Sequence, residues 1–224
     1  MHNMKRRLIV IASLIVLALG LFSLGGCAGS KTYLLNLSYN PMGNPQFIPI
    51  SAKPVTLAVY QFQDARPDRL YLGRRVYRDG MVDFFKPDAG TVEQVMTKSV
   101  VNAMEKAGFR VTLVNRPLDP DKEDFKDIPG DVALGGKIET LWVEAKTGYT
   151  TTDTDAKLKV KIFWGLPKER LWMTKAIEGD AQETDRPFYQ PKYAEAKING
   201  VFQDGLDKLL KDESQLKEKI LKGP

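Results

Sequence analysis

The chain has one histidine, His2, and one cysteine, Cys27, and both stand near its start. Beyond Cys27 there is no imidazole and no thiol. That excludes histidine general-base chemistry, Ser-His-Asp and Cys-His nucleophile pairs, and zinc sites built on His or Cys. A disulfide is excluded too, because it needs two cysteines. The serines after Cys27 are Ser30, Ser38, Ser51, Ser99 and Ser214, and none lies in a Gly-x-Ser-x-Gly setting. Carboxylate-based catalysis, as in a hydrolase acting on glycans, passes this filter, but nothing in the pattern points to it. The expectation is a protein that is not an enzyme and holds no metal or other cofactor.

The one long apolar run, Leu8 to Leu24, follows Lys5, Arg6 and Arg7 and ends in Leu24-Gly25-Gly26-Cys27. A basic head, an apolar segment and small residues before a cut make a secretory signal rather than a domain helix. As a retained span the run is short, since a bilayer wants about 20 apolar residues, and it contains Ser13, Gly20 and Ser23. An ordinary secretory signal would leave the sole cysteine at the cut by accident, whereas acylation accounts for it. Leu-Gly-Gly-Cys resembles the lipobox of bacterial lipoproteins, in which the cysteine becomes the first mature residue. The resemblance implies a signal peptide over 1–26, diacylglycerol on the Cys27 thiol, and an N-acyl chain such as palmitate. Each buried methylene contributes about 0.8 kcal/mol and one chain binds membranes only marginally, so three chains imply lasting attachment. Ala28 and Gly29 follow, without the aspartate that retains enterobacterial lipoproteins at the inner membrane. The expected place is therefore the periplasmic face of the outer membrane. Loss of the signal removes three basic residues and no acidic one from a formal net charge of +5. The basic balance is thus no argument for a nucleic-acid partner.

Residues 27–54 read as the acylated terminus and a tether kept extended by Pro41, Pro45, Pro49 and Pro54, with an apolar patch over Tyr33–Leu37. A single domain is expected over 55–213, then a charged tail over 214–224. Alternation predicts a strand over Val55–Phe62. Asp79-Gly80 between Val76-Tyr77-Arg78 and Met81–Phe85 marks a hairpin. Thr91 and Gln94 have capping-box spacing ahead of a helix carrying Val92, Val95, Met96, Val100, Ala103, Met104 and Ala107, closed by Gly108. A strand follows over Phe109–Val114, then an acidic, proline-bearing loop to Gly130. Three longer strands are expected, about Val132–Lys146, Thr154–Leu166 and Arg170–Ala181. In the middle one Ala156, Leu158, Val160, Ile162 and Trp164 face one way and Lys157, Lys159 and Lys161 the other. A last helix covers about Lys192–Lys211. This order predicts a two-layer α+β domain, a mostly antiparallel sheet with two helices packed on one face.

Arg66, Arg69, Tyr71, Arg74, Arg75, Tyr77 and Arg78 crowd the segment after the first strand. They read as a partner-binding surface, because Arg and Tyr are enriched at interface hot spots. The plainer alternative is a solvated loop whose Asp64, Asp68 and Asp79 pair with neighbouring arginines. The lysine row is a headgroup- or glycan-contacting strip or simply a solvent face. Trp142, Trp164 and Trp172 are core if the first two share a face, and otherwise a carbohydrate platform. Asp119–Asp124 lacks the Gly and Glu of a calcium loop, and Gly130 with Gly135-Gly136-Lys137 misses phosphate-loop spacing.

The lipobox, the Val55–Phe62 strand running into Asp64-Ala65-Arg66-Pro67, Gly73, and the passage Lys106-Ala107-Gly108-Phe109-Arg110-Val111 together resemble the YajG-type envelope lipoproteins. Tyr33-Leu34-Leu35 behind the anchor and Leu171-Trp172 on a late strand are similar to the auxiliary lipoproteins of ABC-type transporters. The first resemblance implies a non-enzymatic binding or assembly module, held by its lipid anchor, whose partner is an envelope protein or an anionic envelope polymer. The second implies the auxiliary subunit of a lipid or solute transport system.

Overall fold

Three long strands carry the fold in the computed structural model, which describes residues 29–39, 48, 53–211 and 218–219, without the side chains of 184–186, 210 and 211. They are β7 (Val132–Thr147), β8 (Thr152–Leu166) and β9 (Leu171–Arg186), joined as an antiparallel meander. On β8 the alternation has its expected result. Ala156, Leu158, Val160, Ile162 and Trp164 are buried, and Lys157, Lys159 and Lys161 are exposed.

The other edge of β7 is shared by three short strands, all parallel to it. β2 (Thr56–Gln61) lies along its start with Leu57 opposite Val132, β3 (Gln63–Asp64) along its middle, and β4 (Gly73–Val76) along its end with Val76 opposite Lys146. β6 (Arg110–Pro117) adds to β2 in parallel. β5 (Val82–Pro87) adds to β4 as the other arm of the Asp79-Gly80 hairpin, and β1 (Thr32–Leu35) adds to β5 in parallel. The sheet is therefore mixed, not mostly antiparallel as expected. Among the described residues five of its eight pairings are parallel. For β2 and β6 the cause is the crossover: a chain that leaves β2 and returns through a helix to β6 arrives running the same way.

That crossover helix is α1 (Val92–Lys106). At its start the Thr91 N–H donates to Gln94 Oε1 at 3.0 Å, and it ends at Gly108, whose φ of +95° favours a residue without a Cβ. The second helix, α2, spans Pro191–Lys211. Met96, Val100 and Met104 of α1 and Ile198, Val201, Phe202 and Leu209 of α2 share one buried cluster with Leu57, Val59, Leu158, Val160 and Trp164. Both helices thus cover the same face, in an α+β arrangement, and burial of each such large side chain contributes about 1.5–3 kcal/mol. A smaller cluster on the opposite face joins Ala58, Tyr60, Ala133 and Phe163 to Leu118 and Ile128 of the loop after β6. β2 is consequently buried on both sides, which its unbroken Leu57–Tyr60 apolar run requires.

Where the described residues enter the stretch expected to be a tether, they are fixed to the domain. Leu35, Leu37 and Ile48 are buried. The Asn36 N–H donates to Glu195 Oε2 at 2.8 Å, and the Ser38 N–H to Asn199 Oδ1 at 3.1 Å. Asn199 Nδ2 donates back to Asn36 O at 2.8 Å, and the Tyr39 hydroxyl to Asp207 Oδ1 at 3.1 Å. The signal over 1–26, Cys27, Pro41, Pro45, Pro49 and the tail apart from Glu218 and Lys219 lie outside the described residues. Among the described residues no helix is long and apolar enough to cross a membrane.

Candidate functional site

The segment from Asp64 to Arg78 leaves the end of β3, turns, and re-enters the sheet as β4. Arg66 sets that turn from inside. Its Nε–H donates to Asp64 Oδ1 at 2.9 Å and Nη2 to Asp64 Oδ2 at 2.8 Å. Nη1 reaches Tyr71 O at 2.9 Å and Leu141 O at 3.1 Å, and Nη2 also reaches Arg69 O at 3.4 Å. Five donors meet five acceptors, with the side chains of Arg66 and Asp64 only 3% and 5% exposed. The guanidinium has no N–H left for a partner. Asp68 Oδ1 then accepts from the N–H groups of Leu70 and Tyr71 at 2.9 and 3.0 Å, which completes the turn.

The remaining residues divide by the pleat of β4. Arg74 points outward to Glu144 Oε1, with Nε and Nη2 both at 2.7 Å. Tyr71 stacks on Phe84 at 4.4 Å between ring centroids. Arg75 faces the other way. Its guanidinium lies between the rings of Tyr77 and Tyr189, 4.3 and 4.4 Å from their centroids. Its Nε–H donates to Thr147 Oγ1 at 3.0 Å and Nη1 to the Tyr77 hydroxyl at 3.2 Å. That hydroxyl donates in turn to buried Asp83 Oδ2 at 2.6 Å, while Asp83 Oδ1 accepts the Lys31 N–H at 2.9 Å. Burial, then the hydrogen bond to Asp83, pushes the Tyr77 hydroxyl up to about 12 against the lowering by Arg75. Burial likewise raises the Tyr189 hydroxyl above its ordinary range, and this group has no hydrogen-bond partner among the described residues.

Two more of the seven residues are turned outward. Arg69 is exposed, and Arg78 is exposed with its guanidinium 3.3 Å from the centroid of Tyr149. Sequence reasoning missed Tyr149, Phe188 and Tyr189. For Tyr149 and Phe188 the available signal was their setting, aromatic rings within the turn segments Gly148-Tyr149-Thr150 and Pro187-Phe188-Tyr189, whereas Tyr189 packs against the main buried cluster.

The other constellations separate. Trp164 is buried within the main cluster, Trp142 is half-buried beside Lys157 on the wet face, and Trp172 stacks on Phe125 at 5.0 Å. They form no common platform. Lys157 pairs with Asp155 at 3.4 Å, and Lys159 with Glu178 at 3.2 Å and Glu139 at 3.7 Å. The loop after β6 is held by ion pairs, Glu123 with Arg116 of β6 and Asp119 with Lys122. A Cβ on Gly136 would stand 2.6 Å from Lys161 O and 2.7 Å from the Phe62 ring, so close packing explains that glycine. Among the described residues no group of three His, Cys, Asp or Glu side chains could hold a metal ion.

No family model matches the chain, and no curated protein matches it. Solved structures do resemble it. One is a Xanthomonas campestris protein of the DUF330 family, at 14% identity and a TM-score of 0.47, covering 84% of this chain and 97% of its own. Another is the PelC dodecamer of Paraburkholderia phytofirmans, at 13% identity and a TM-score of 0.35, covering 69% of this chain and 90% of its own. A third is the lipoprotein GNA1162 of Neisseria meningitidis, at 11% identity and a TM-score of 0.34, covering 67% of this chain and 97% of its own. At these TM-scores the likenesses carry no functional argument.

Proposed function

We propose that this protein is an acyl-anchored, non-enzymatic binding or assembly module of the YajG type, held at the periplasmic face of the bacterial outer membrane. The observation that carries the reading is Leu24-Gly25-Gly26-Cys27, with the chain's only cysteine at the end of its only long apolar run. The chemistry of the remainder supports it, because neither imidazole nor thiol is left to activate a nucleophile. The partner is an envelope protein or an anionic envelope polymer, and it meets the outward arginine Arg69 on the turn before β4. Arg66 acts from within as the residue that shapes this surface.

Crosslinking the full-length protein in cells and recovering it under mild detergent tests the reading. The expected result is a discrete partner that is lost from Arg69→Glu and Arg69→Ala variants whose thermal unfolding is unchanged. Recovery of a bare chain, or of the same partner from those variants, contradicts the binding surface. Recovery of an ATPase and a permease would make the protein a transporter subunit instead.

A further inference from the structure

One end of the domain collects side chains that a water-facing surface has little use for. Tyr149 is 86% exposed, Phe188 92% and Met81 42%. They come from three separate connections, β7–β8, β9–α2 and β4–β5. Several contacts place the three together. Arg78 lies on the Tyr149 ring, and Arg75 lies on Tyr189, next in the chain to Phe188. Val76 pairs with Lys146 and Val82, and Thr152 pairs with Arg186.

The chain enters at this same end. The Lys31 N–H donates to Asp83 Oδ1 and Lys31 O accepts from the Phe84 N–H at 2.8 Å, which sets the start of β1 two residues from Met81. Residues 31–39 are docked, so no slack remains after Lys31. Lys31 stands four positions after Cys27, and four such steps reach at most about 14 Å.

We propose that this end is the membrane-facing tip, with Tyr149, Phe188 and Met81 in the headgroup layer of a phospholipid bilayer and Lys31 and Arg78 against its anionic groups. The inference rests on acylation of Cys27, which fixes the start of β1 within that short reach of the bilayer. Aromatic rings with one apolar and one polar side belong at a membrane interface. Arg78 lying over Tyr149 lets a cation share that layer with the ring, its charge directed to the headgroups. Asp79, the exposed acidic residue next to Arg78 in the same turn, is occupied in accepting the Met81 N–H on Oδ1 at 3.0 Å.

The native cysteine is consumed by its acyl linkage, so a cysteine introduced elsewhere is the one free thiol of the mature chain. Tyr149→Cys, Phe188→Cys and, near the opposite end of β7, Leu113→Cys on β6 are each made in the full-length protein. All three positions are exposed, so none of the substitutions disturbs the core. Each thiol takes an environment-sensitive fluorophore, and the purified lipoproteins enter vesicles of zwitterionic and anionic phospholipid bearing a nitroxide near the headgroup. The expected result is quenching several-fold stronger at 149 and 188 than at 113. Equal quenching at all three positions in vesicle-bound protein overturns the proposal. So does shielding of 149 and 188 from an aqueous quencher that persists in detergent, because a second copy or another protein then covers the tip. A chain that stays off the vesicles, with no acyl group on Cys27 by mass spectrometry, overturns the anchored reading and the tip together.

Discussion

Arg66 and Asp64, two residues apart, form a two-pronged ion pair inside the protein, with Nε to Oδ1 at 2.9 Å and Nη2 to Oδ2 at 2.8 Å. The pair spans the exit from β3, and its remaining donors bind carbonyls of Tyr71, Leu141 and Arg69. The turn that presents Arg69 and aligns β4 is thus held by a buried charge. Removal of one partner strands the other charge. Arg66→Met is expected to destabilise by about 3–5 kcal/mol, and Arg66→Met with Asp64→Leu by clearly less. Urea denaturation checks this, and equal losses in the single and double variants contradict it.

Gly73 sets the contact between β4 and β7. A Cβ there would stand 1.8 Å from Val143 O, and backbone cannot move aside as a side-chain tip can. Gly73→Ala is expected to cost more than the ordinary overpacking loss of about 1–3 kcal/mol. Gly200 lies within α2, exposed and with nothing within 4 Å of its Cβ position. Gly200→Ala should therefore stabilise by about 0.5–1 kcal/mol. Thermal melts of the two variants should shift in opposite directions, and shifts of the same sign contradict the packing described.

Where one face of a strand is wet and the other dry, the sequence alone showed the outcome. The β8 alternation from Ala156 to Trp164, the Thr91–Gln94 start of α1 and the Asp79-Gly80 turn all formed as read, since each depends on neighbours along the chain. Parallel pairing was not legible. β1, β3 and β4 are two to four residues long, and nothing local distinguishes a parallel partner from an antiparallel one. The register shift between Ile138 and Thr140 likewise left Trp142 and Trp164 on different faces, although both lie on long regular strands. Arg66 misled for another reason. Arginine is seldom buried unpaired, and its partner Asp64 read as one more surface acid.

Two tyrosines give the protein an alkaline limit. The Tyr60 hydroxyl donates to Glu123 Oε1 at 3.0 Å and that of Tyr77 to Asp83 Oδ2 at 2.6 Å. Burial first, then these bonds, push both hydroxyls from an ordinary 10 up to about 12. A group raised by folding contributes stability in full below its unfolded value and loses it as pH rises through the folded one. The unfolding midpoint should hold up to pH 10 and fall towards pH 12. Tyr60→Phe and Tyr77→Phe should each make that fall shallower, and an unchanged slope in both contradicts the assignment.

The sandwich of Arg75 between Tyr77 and Tyr189 uses the flat face of a guanidinium, which an ammonium lacks. Arg75→Lys keeps the charge and loses the stacking. The expected loss is about 0.5–2 kcal/mol, read as a lowered melting temperature. A lysine variant as stable as the parent contradicts a stabilising stack.

Mass spectrometry of the amino terminus of the protein, taken from the membrane fraction of its own cells, tests the central claim most directly. The account predicts a chain that starts at Cys27 and carries a diacylglyceryl group on sulfur with an acyl chain on the α-amino nitrogen. A chain that still begins at Met1, or a bare Cys27 thiol in protein recovered from the soluble fraction, contradicts it.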